Sequence, residues 1–432
     1  MPNVSSSIVW QLTEKILRIF SGLFIGIWIA KYLGTHLFGV YSYIQSFVGL
    51  FVALTTLGLD GVVVREITKN KNQNIYIGTA LLLRLMGAVL LILILSIVMY
   101  FYPHEYTSLM MLYSLVFIIQ AGLVFEYYFQ SRVQGNIIGK VKIASLSLGI
   151  LFKVYVILTG GTLFDFIIVL MIESGIVSFL LLMNYSKKES LTNLKVKFKY
   201  AADLLKTSWP LIFSGFIMSV YMKIDQVMLY NMLSAEMNGI YASAVRISDS
   251  MNFIPVIICN VVFPLIIKLK SKSKAKYLIA TKSLHSLMLW GAILLASFFS
   301  IFSELIIRNT YGIDYIEAAS VLSIYTWASI PVFLGVSSTI WILSENLQKY
   351  KLIMDVFGAL LNIALNLYLI PKYGVLGAAY ATLISYSLTL ILVSSIFPQL
   401  RGNLKMMVAS FLMPIFSMKD IIMISRDIKN DI

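Results

Sequence analysis

The sequence predicts an all-α polytopic membrane protein. Its twelve transmembrane helices form two six-helix lobes, related by a parallel pseudo-repeat, around a central cavity. Three observations carry the prediction. Of the 432 residues, 59% are hydrophobic and only 12% are charged, with a mean hydropathy of +0.87; a water-soluble domain of this length has about 25% charged residues. Apolar runs of about 20 residues, the length a helix needs to cross the hydrocarbon core, recur twelve times along the chain. The cations collect in alternate connections between those runs.

In chain order the spans are 8–30, 39–59, 77–101, 107–130, 141–159, 163–184, 209–232, 239–267, 281–303, 316–343, 352–370 and 375–398. The longest connection divides them, giving an N-terminal lobe 1–184, a basic linker 185–208 and a C-terminal lobe 209–398. A tail follows over 399–432, in which the run Met406 to Met418 is too short to span, contains Pro414 and suits the membrane interface.

Charge sets the orientation. The connections after spans two and four carry Arg65, Lys69, Lys71 and Arg132, Lys140, Lys142. Six lysines follow span six (Lys187, Lys188, Lys195, Lys197, Lys199, Lys206) and six follow span eight (Lys268, Lys270, Lys272, Lys274, Lys276, Lys282). Lys349, Lys351 and five tail cations lie on the same side, whereas the opposite connections hold Lys31, Arg308 and Lys372. By the positive-inside rule both termini are cytoplasmic and the number of spans is even. The net charge of +14 is thereby assigned to topology and the anionic lipid surface, not to nucleic acid.

Several chemistries are not expected. Cys259 is the single cysteine, so no internal disulfide forms, and His36, His104 and His285 lack ligand spacing. No cofactor, metal or nucleotide-binding motif is read, and Met1 to Ser7 do not open a cleavable leader. The outward connections are short, with Glu105, Glu236, Glu304, Arg308 and Asp314 as their main charges, too few for a glycosyltransferase or polymerase active site.

A weak repeat links the halves. Phe38-Gly39-Val40-Tyr41-Ser42 opens the second span and Asn238-Gly239-Ile240-Tyr241-Ala242 opens the eighth, so Gly39 and Gly239 are 200 residues apart. With six spans per half, the repeat axis lies along the membrane normal. Late in the chain, Gly377, Ala381 and Ser385, with Ala378 and Thr382, form a stripe of small side chains for close helix approach. Asn362 and Asn366 either bond across helices or line the cavity, and Pro371 ends its helix.

The charges inside the spans are the functional signal, because each costs roughly 2.5–3.5 kcal/mol at mid-bilayer on insertion scales. The cations are Lys15, Arg18, Arg84, Lys153, Lys223 and Arg246; the acids are Glu14, Glu126, Glu173, Asp225 and Asp249, with Asp355 near an end. Glu14 and Arg18 at i, i+4, and Arg246 and Asp249 at i, i+3, can pair along one helix, and such pairing could be purely structural. As a set, Arg18, Arg84, Lys153, Lys223 and Arg246 suit a vestibule for an anion such as a phosphate or pyrophosphate. Asp225, Asp249, Glu126 and Glu173 either compensate those cations or take up H+ or Na+ as the cavity opens and closes.

At these residues a family resemblance emerges. Ile224-Asp225-Gln226-Val227-Met228-Leu229 and Gly239-Ile240-Tyr241-Ala242-Ser243-Ala244 resemble the seventh–eighth helix signature of Wzx-type polysaccharide flippases. That group belongs to the multidrug/oligosaccharidyl-lipid/polysaccharide exporter superfamily, which also contains the MATE-like exporters. Further matches are Leu361-Asn362 to Asn366, then Leu369-Ile370-Pro371-Lys372-Tyr373-Gly374 and Gly377-Ala378-Ala379-Tyr380-Ala381-Thr382, and the early Leu33-Gly34 with Phe38 to Ser42. The resemblance implies a non-enzymatic transporter of the bacterial inner membrane. Its substrate would be an undecaprenyl-pyrophosphate-linked oligosaccharide repeat unit, moved outward by alternating access with a cationic lumen. It further implies membrane-lipid contacts, coupling to a Na+ or H+ gradient, and a polysaccharide polymerase and chain-length regulator as partners. The alternatives are a cation-coupled drug or metabolite exporter of the same superfamily, a peptidoglycan lipid-precursor flippase with extra helices, and a membrane glycosyltransferase or polymerase.

Overall fold

Eleven helical stretches long and apolar enough to cross a membrane occur in a computed structural model that describes residues 4–69 and 72–412. The first, Ser6–Lys69, is 64 residues long. At 1.5 Å per residue that is about 96 Å, three bilayer cores, so it cannot be one pass. It divides at Gly34, where φ 70° and ψ 172° put the backbone in a region that only glycine enters without steric cost. Twelve passes result, with no strand among the described residues.

We number them α1 (4–33), α2 (35–69), α3 (Gln73–Phe101), α4 (Thr107–Ser131), α5 (Gly135–Leu158), α6 (Leu163–Ser186), α7 (Phe198–Met232), α8 (Ala235–Lys272), α9 (Lys274–Ile301), α10 (Ala318–Ser344), α11 (Gln348–Tyr373) and α12 (Val375–Ile396). Each contains most of the apolar run predicted for it. Most also extend by a turn or more into polar sequence, because a helix continues past the hydrocarbon core wherever no breaker stops it. α7 is the largest case: it begins at Phe198, eleven residues before the apolar run, and carries Pro210 inside. α11 runs past Pro371, a correction to the sequence reading. In the last turn a proline removes one intrahelical bond only, and the helix stops instead at Gly374, whose N–H bonds Ile370 O at 2.8 Å.

Backbone irregularities repeat between the halves. α2 is interrupted near Phe51 and α8 between Asp249 and Phe253, again about 200 residues apart. α4 tightens to a 3₁₀ turn over Ala121–Val124, and α10 does so over Thr326–Ala328. These paired defects support the parallel repeat more strongly than the five matched residues do.

By internal packing the chain forms two units, Met1–Val227 and Met228–Ile432. In the first, α1 lies along α5, and an aromatic core of Phe125, Tyr127, Tyr128, Phe129 and Tyr185 joins α4 to α6. α7 crosses α2 closely: Gln226 Oε1 accepts from Ser46 Oγ at 2.9 Å, and the rings of Phe51 and Phe216 are 6.4 Å apart. The connection after α6 is strapped to this unit. Glu189 Oε1 accepts from Gln73 Nε2 at 2.8 Å and from Tyr128 OH at 3.2 Å, and pairs with Arg132 at 3.4 Å. The backbone N–H of Lys195 then bonds Asn74 O at 3.3 Å. Outward faces are apolar: Met86, Leu90, Leu93 and Ile97 follow helical spacing along α3 and are all exposed, as side chains against lipid tails are.

In the second unit α11 and α12 are the most intimately packed pair. Gly377, Ala378, Ala381, Thr382 and Ser385 are buried as the small-residue stripe requires. Asn362 and Asn366 are fully buried too, with Asn362 Nδ2 donating to Ser385 Oγ at 3.4 Å and Asn366 Nδ2 to Asn362 Oδ1 at 3.1 Å. Packing is therefore their role. A short helix, α13 (Arg401–Ser410), buries Asn403, Met407 and Ser410 against α9 and leaves Val408 exposed. It holds the start of the run assigned to the interface; residues 413–418 lie outside the described residues, as do Lys71 and three tail cations, Lys419, Arg426 and Lys429.

The lysine-rich turn between α8 and α9 is clamped. Glu345 accepts from Lys270 Nζ at 2.9 Å and from Tyr277 OH at 2.7 Å, while Lys270 Nζ also reaches Ser344 O at 2.6 Å. Burial alone would push the Glu345 carboxyl up, but those two hydrogen bonds and the Lys270 and Lys274 charges hold it below its ordinary value. A carboxylate whose folded-state value is depressed contributes stability above its unfolded value of about 4.3 and loses it as pH falls through the folded value. The Glu345 contribution to thermal stability should thus be constant at neutral pH and fall away below about pH 4.3. Glu345→Gln should flatten the decline; an unchanged acid limb would remove the clamp from the account.

Candidate functional site

The first unit gathers two of the predicted cations around one carboxylate. Arg18 on α1 donates through Nε to Glu14 Oε1 at 2.6 Å, one turn back, and its Nη1 is 3.9 Å from Glu173 Oε1 on α6. Lys153 Nζ on α5 is 2.7 Å from the other oxygen, Glu173 Oε2. The set carries two positive and two negative charges and sits well inside three spans. Lys153 and Glu173 are largely enclosed, at 13% and 16% side-chain exposure, whereas the Arg18 side chain is 47% exposed.

Local sequence explains the register. Ser145, Gly149 and Lys153 recur every four residues on α5 and face α6. Ser145 Oγ donates to the carbonyl of Glu173 at 2.7 Å, and Gly149 leaves room for the carboxylate, since a Cβ there would be 2.8 Å from Glu173 Oε2. The α5–α6 turn fixes the pair further. Gly161 N–H bonds Val156 O at 2.8 Å, and Asp165 Oδ2 accepts from the Thr162 backbone N–H at 2.6 Å and from its hydroxyl at 2.9 Å. That closes α5 and opens α6 within four residues.

Other predicted residues fall into separate sets. Arg84 on α3 is only 3% exposed; its Nη1 donates to Tyr127 OH at 3.1 Å, and that hydroxyl donates to Asp60 Oδ1 at 2.5 Å. Arg84 Nε is buried without a hydrogen-bond partner. Glu126 on α4 accepts from Lys142 Nζ and Gln130 Nε2, both at 2.9 Å. Lys142, counted as a loop cation in the sequence, is thus within α5. The Lys223 stem on α7 lies against α2, where a Cβ on Gly49 would come within 2.9 Å of its Cδ and Cε. Asp225, two residues on and so about 200° round the helix, is buried at 6% exposure.

In the second unit Arg246 and Asp249 sit among tyrosines. Asp249 Oδ1 accepts from Asn252 Nδ2 at 3.1 Å and Tyr325 OH at 3.5 Å, and Tyr325 stacks edge-on with Tyr241. Tyr311 and Tyr315 feel the Arg246 charge from the connection before α10. Burial pushes the Tyr311 phenol up to about 12 and the Tyr315 phenol up as well, against the opposing pull of Arg246.

One network therefore unites Arg18, Lys153 and Glu173 among the predicted site residues, with Glu14 as its fourth member. The sequence signalled Glu14–Arg18 by spacing. It did not signal Asp60 or Tyr127, since Asp60 lies just past a predicted span end and a tyrosine bridge has no sequence pattern.

A family model described as polysaccharide biosynthesis protein matches residues 2–270. Among curated proteins, none matches the sequence. Solved structures with the same fold include an inward-facing multidrug resistance MATE-family transporter of the MOP superfamily, with TM-score 0.71 and 14% identity, covering 97% of this chain and 99% of that one. The lipid II flippase MurJ, in an inward closed conformation, has TM-score 0.63 and 17% identity over 98% of this chain and 99% of its own. A MOP-superfamily transporter from Pyrococcus furiosus, described by a binding pocket of reversed polarity, has TM-score 0.55 and 14% identity over 98% and 96%.

Proposed function

Because the chain belongs to the polysaccharide biosynthesis protein family, we propose that it is a flippase for undecaprenyl-pyrophosphate-linked oligosaccharide repeat units, of O-antigen or another surface polysaccharide. It carries them by alternating access from the cytoplasmic to the periplasmic leaflet of the inner membrane, with both termini cytoplasmic. It moves its substrate without chemical change and hands it to a polymerase and its chain-length regulator. The observation that carries the reading is the Arg18–Glu173–Lys153 network, two cations drawn together at mid-span. A pyrophosphate gives each of them a charge-assisted partner, and a cationic drug gives them none.

Arg18 and Lys153 are the first contacts for the headgroup in this proposal; Lys223 and Arg84, and Arg246 in the second unit, are further cationic candidates. Asp225, Asp249, Glu126 and Glu173 are the residues through which a Na+ or H+ gradient would act. The drug-exporter alternative calls for an excess of intramembrane acid, which the six span cations disfavour. Deleting the gene should accumulate lipid-linked repeat units on the cytoplasmic leaflet and deplete surface polymer. Arg18→Gln with Lys153→Gln should reproduce this at normal protein levels; a deletion strain with normal surface polysaccharide would refute the reading.

A further inference from the structure

We propose that Glu173, assisted by Glu14, is a resident anion that the substrate headgroup displaces and that later displaces the headgroup in turn. The proposal rests on the reading that Arg18 and Lys153 receive an anion. One carboxylate already occupies the place between them, an oxygen toward each cation at 3.9 and 2.7 Å. A headgroup phosphoryl that engages both cations must take the place that the Glu173 carboxylate now holds. Arg18, half exposed, is the point at which an incoming anion can first engage.

The arrangement solves two problems with one residue. Without Glu173 the two cations at mid-span would have Glu14 alone between them, one net positive charge that is costly in the empty carrier. Two cations waiting unpaired would also bind a pyrophosphate too tightly to release it. Competition by an internal carboxylate lowers the apparent affinity by the fraction of sites in which the cations are free. It also restores neutrality when the substrate leaves.

Gly149 provides a test that leaves every charge in place. A Cβ at this position would lie 2.8 Å from Glu173 Oε2, 3.0 Å from its Cδ and 3.1 Å from its Cγ, so Gly149→Ala pushes that side chain aside. Full-length protein in detergent is titrated with farnesyl pyrophosphate, with farnesol as the headgroup-free control, and each variant is checked by thermal unfolding. Glu173→Gln should bind about tenfold more tightly than the natural protein, equivalent to about 1.4 kcal/mol, and Gly149→Ala a few-fold more tightly. Both should flip substrate more slowly. Should Glu173→Gln fail to fold, Gly149→Ala decides alone. A folded Gly149→Ala with unchanged or weaker affinity overturns the exchange. If Arg18→Gln and Lys153→Gln still weaken binding in that case, the flippase reading survives it. Absence of pyrophosphate binding by the natural protein and all variants would overturn both.

Discussion

Gly377→Ala should lower the stability of the protein by about 1–3 kcal/mol, and Gly377→Leu should prevent its accumulation altogether. The added Cβ would overlap the carbonyl of Leu369 and approach Ile370 N at 2.8 Å, which are backbone atoms of α11 that cannot turn aside. α11 and α12 would have to separate, and Asn362 would lose Ser385 Oγ, its partner across the two helices. Inside a bilayer helices associate through close packing and polar bonds, so separation removes both sources of attraction. Gly291 on α9 is the matched control, having nothing within 4 Å of its added Cβ, so Gly291→Ala should be neutral. Thermal unfolding in detergent compares the two. Equal behaviour would remove the stripe as the reason α11 and α12 pair.

The second large effect is expected at Tyr127. Tyr127→Phe removes the hydroxyl that connects the enclosed Arg84 guanidinium to Asp60, leaving a buried charged donor without that acceptor, and should cost about 1–3 kcal/mol. Arg84→Met combined with Tyr127→Phe should recover most of that loss, because replacing a buried polar set by apolar groups is far cheaper than breaking it. The same variants bear on function. If Arg84 belongs to the substrate surface, the double variant will be stable and transport poorly; stable with normal transport assigns Arg84 to structure.

The architecture was legible because the bilayer imposes length and apolarity on each pass separately, so spans such as Leu163–Ser186 or Val375–Ile396 can be read one at a time. Helix ends were less so, since Phe198 to Ser208 is polar enough to read as a loop and is nevertheless helix. Pairing within one helix, Glu14 with Arg18, followed from spacing. Pairing between helices did not. Whether Lys153 meets Glu173, or Glu126 meets Lys142, depends on the rotation of each helix about its axis. That rotation is set by details such as Gly149 against Glu173 and Ser178 Oγ bonded to Ile119 O at 2.8 Å.

The four-residue turn between α5 and α6 bears on how the chain enters the membrane during synthesis. Glu14 and Arg18 lie on one helix, so α1 can enter lipid with its charges already matched. Lys153 and Glu173 cannot be matched until both of their helices exist. Their helices are consecutive, however, and joined by residues 159–162. The two can leave the insertion machinery as a hairpin, each neutralising the other on the way into lipid. A longer α5–α6 connection would expose Lys153 alone to the hydrocarbon for the time needed to synthesise it. Topogenesis thus places a limit on that loop which the finished fold alone would not impose.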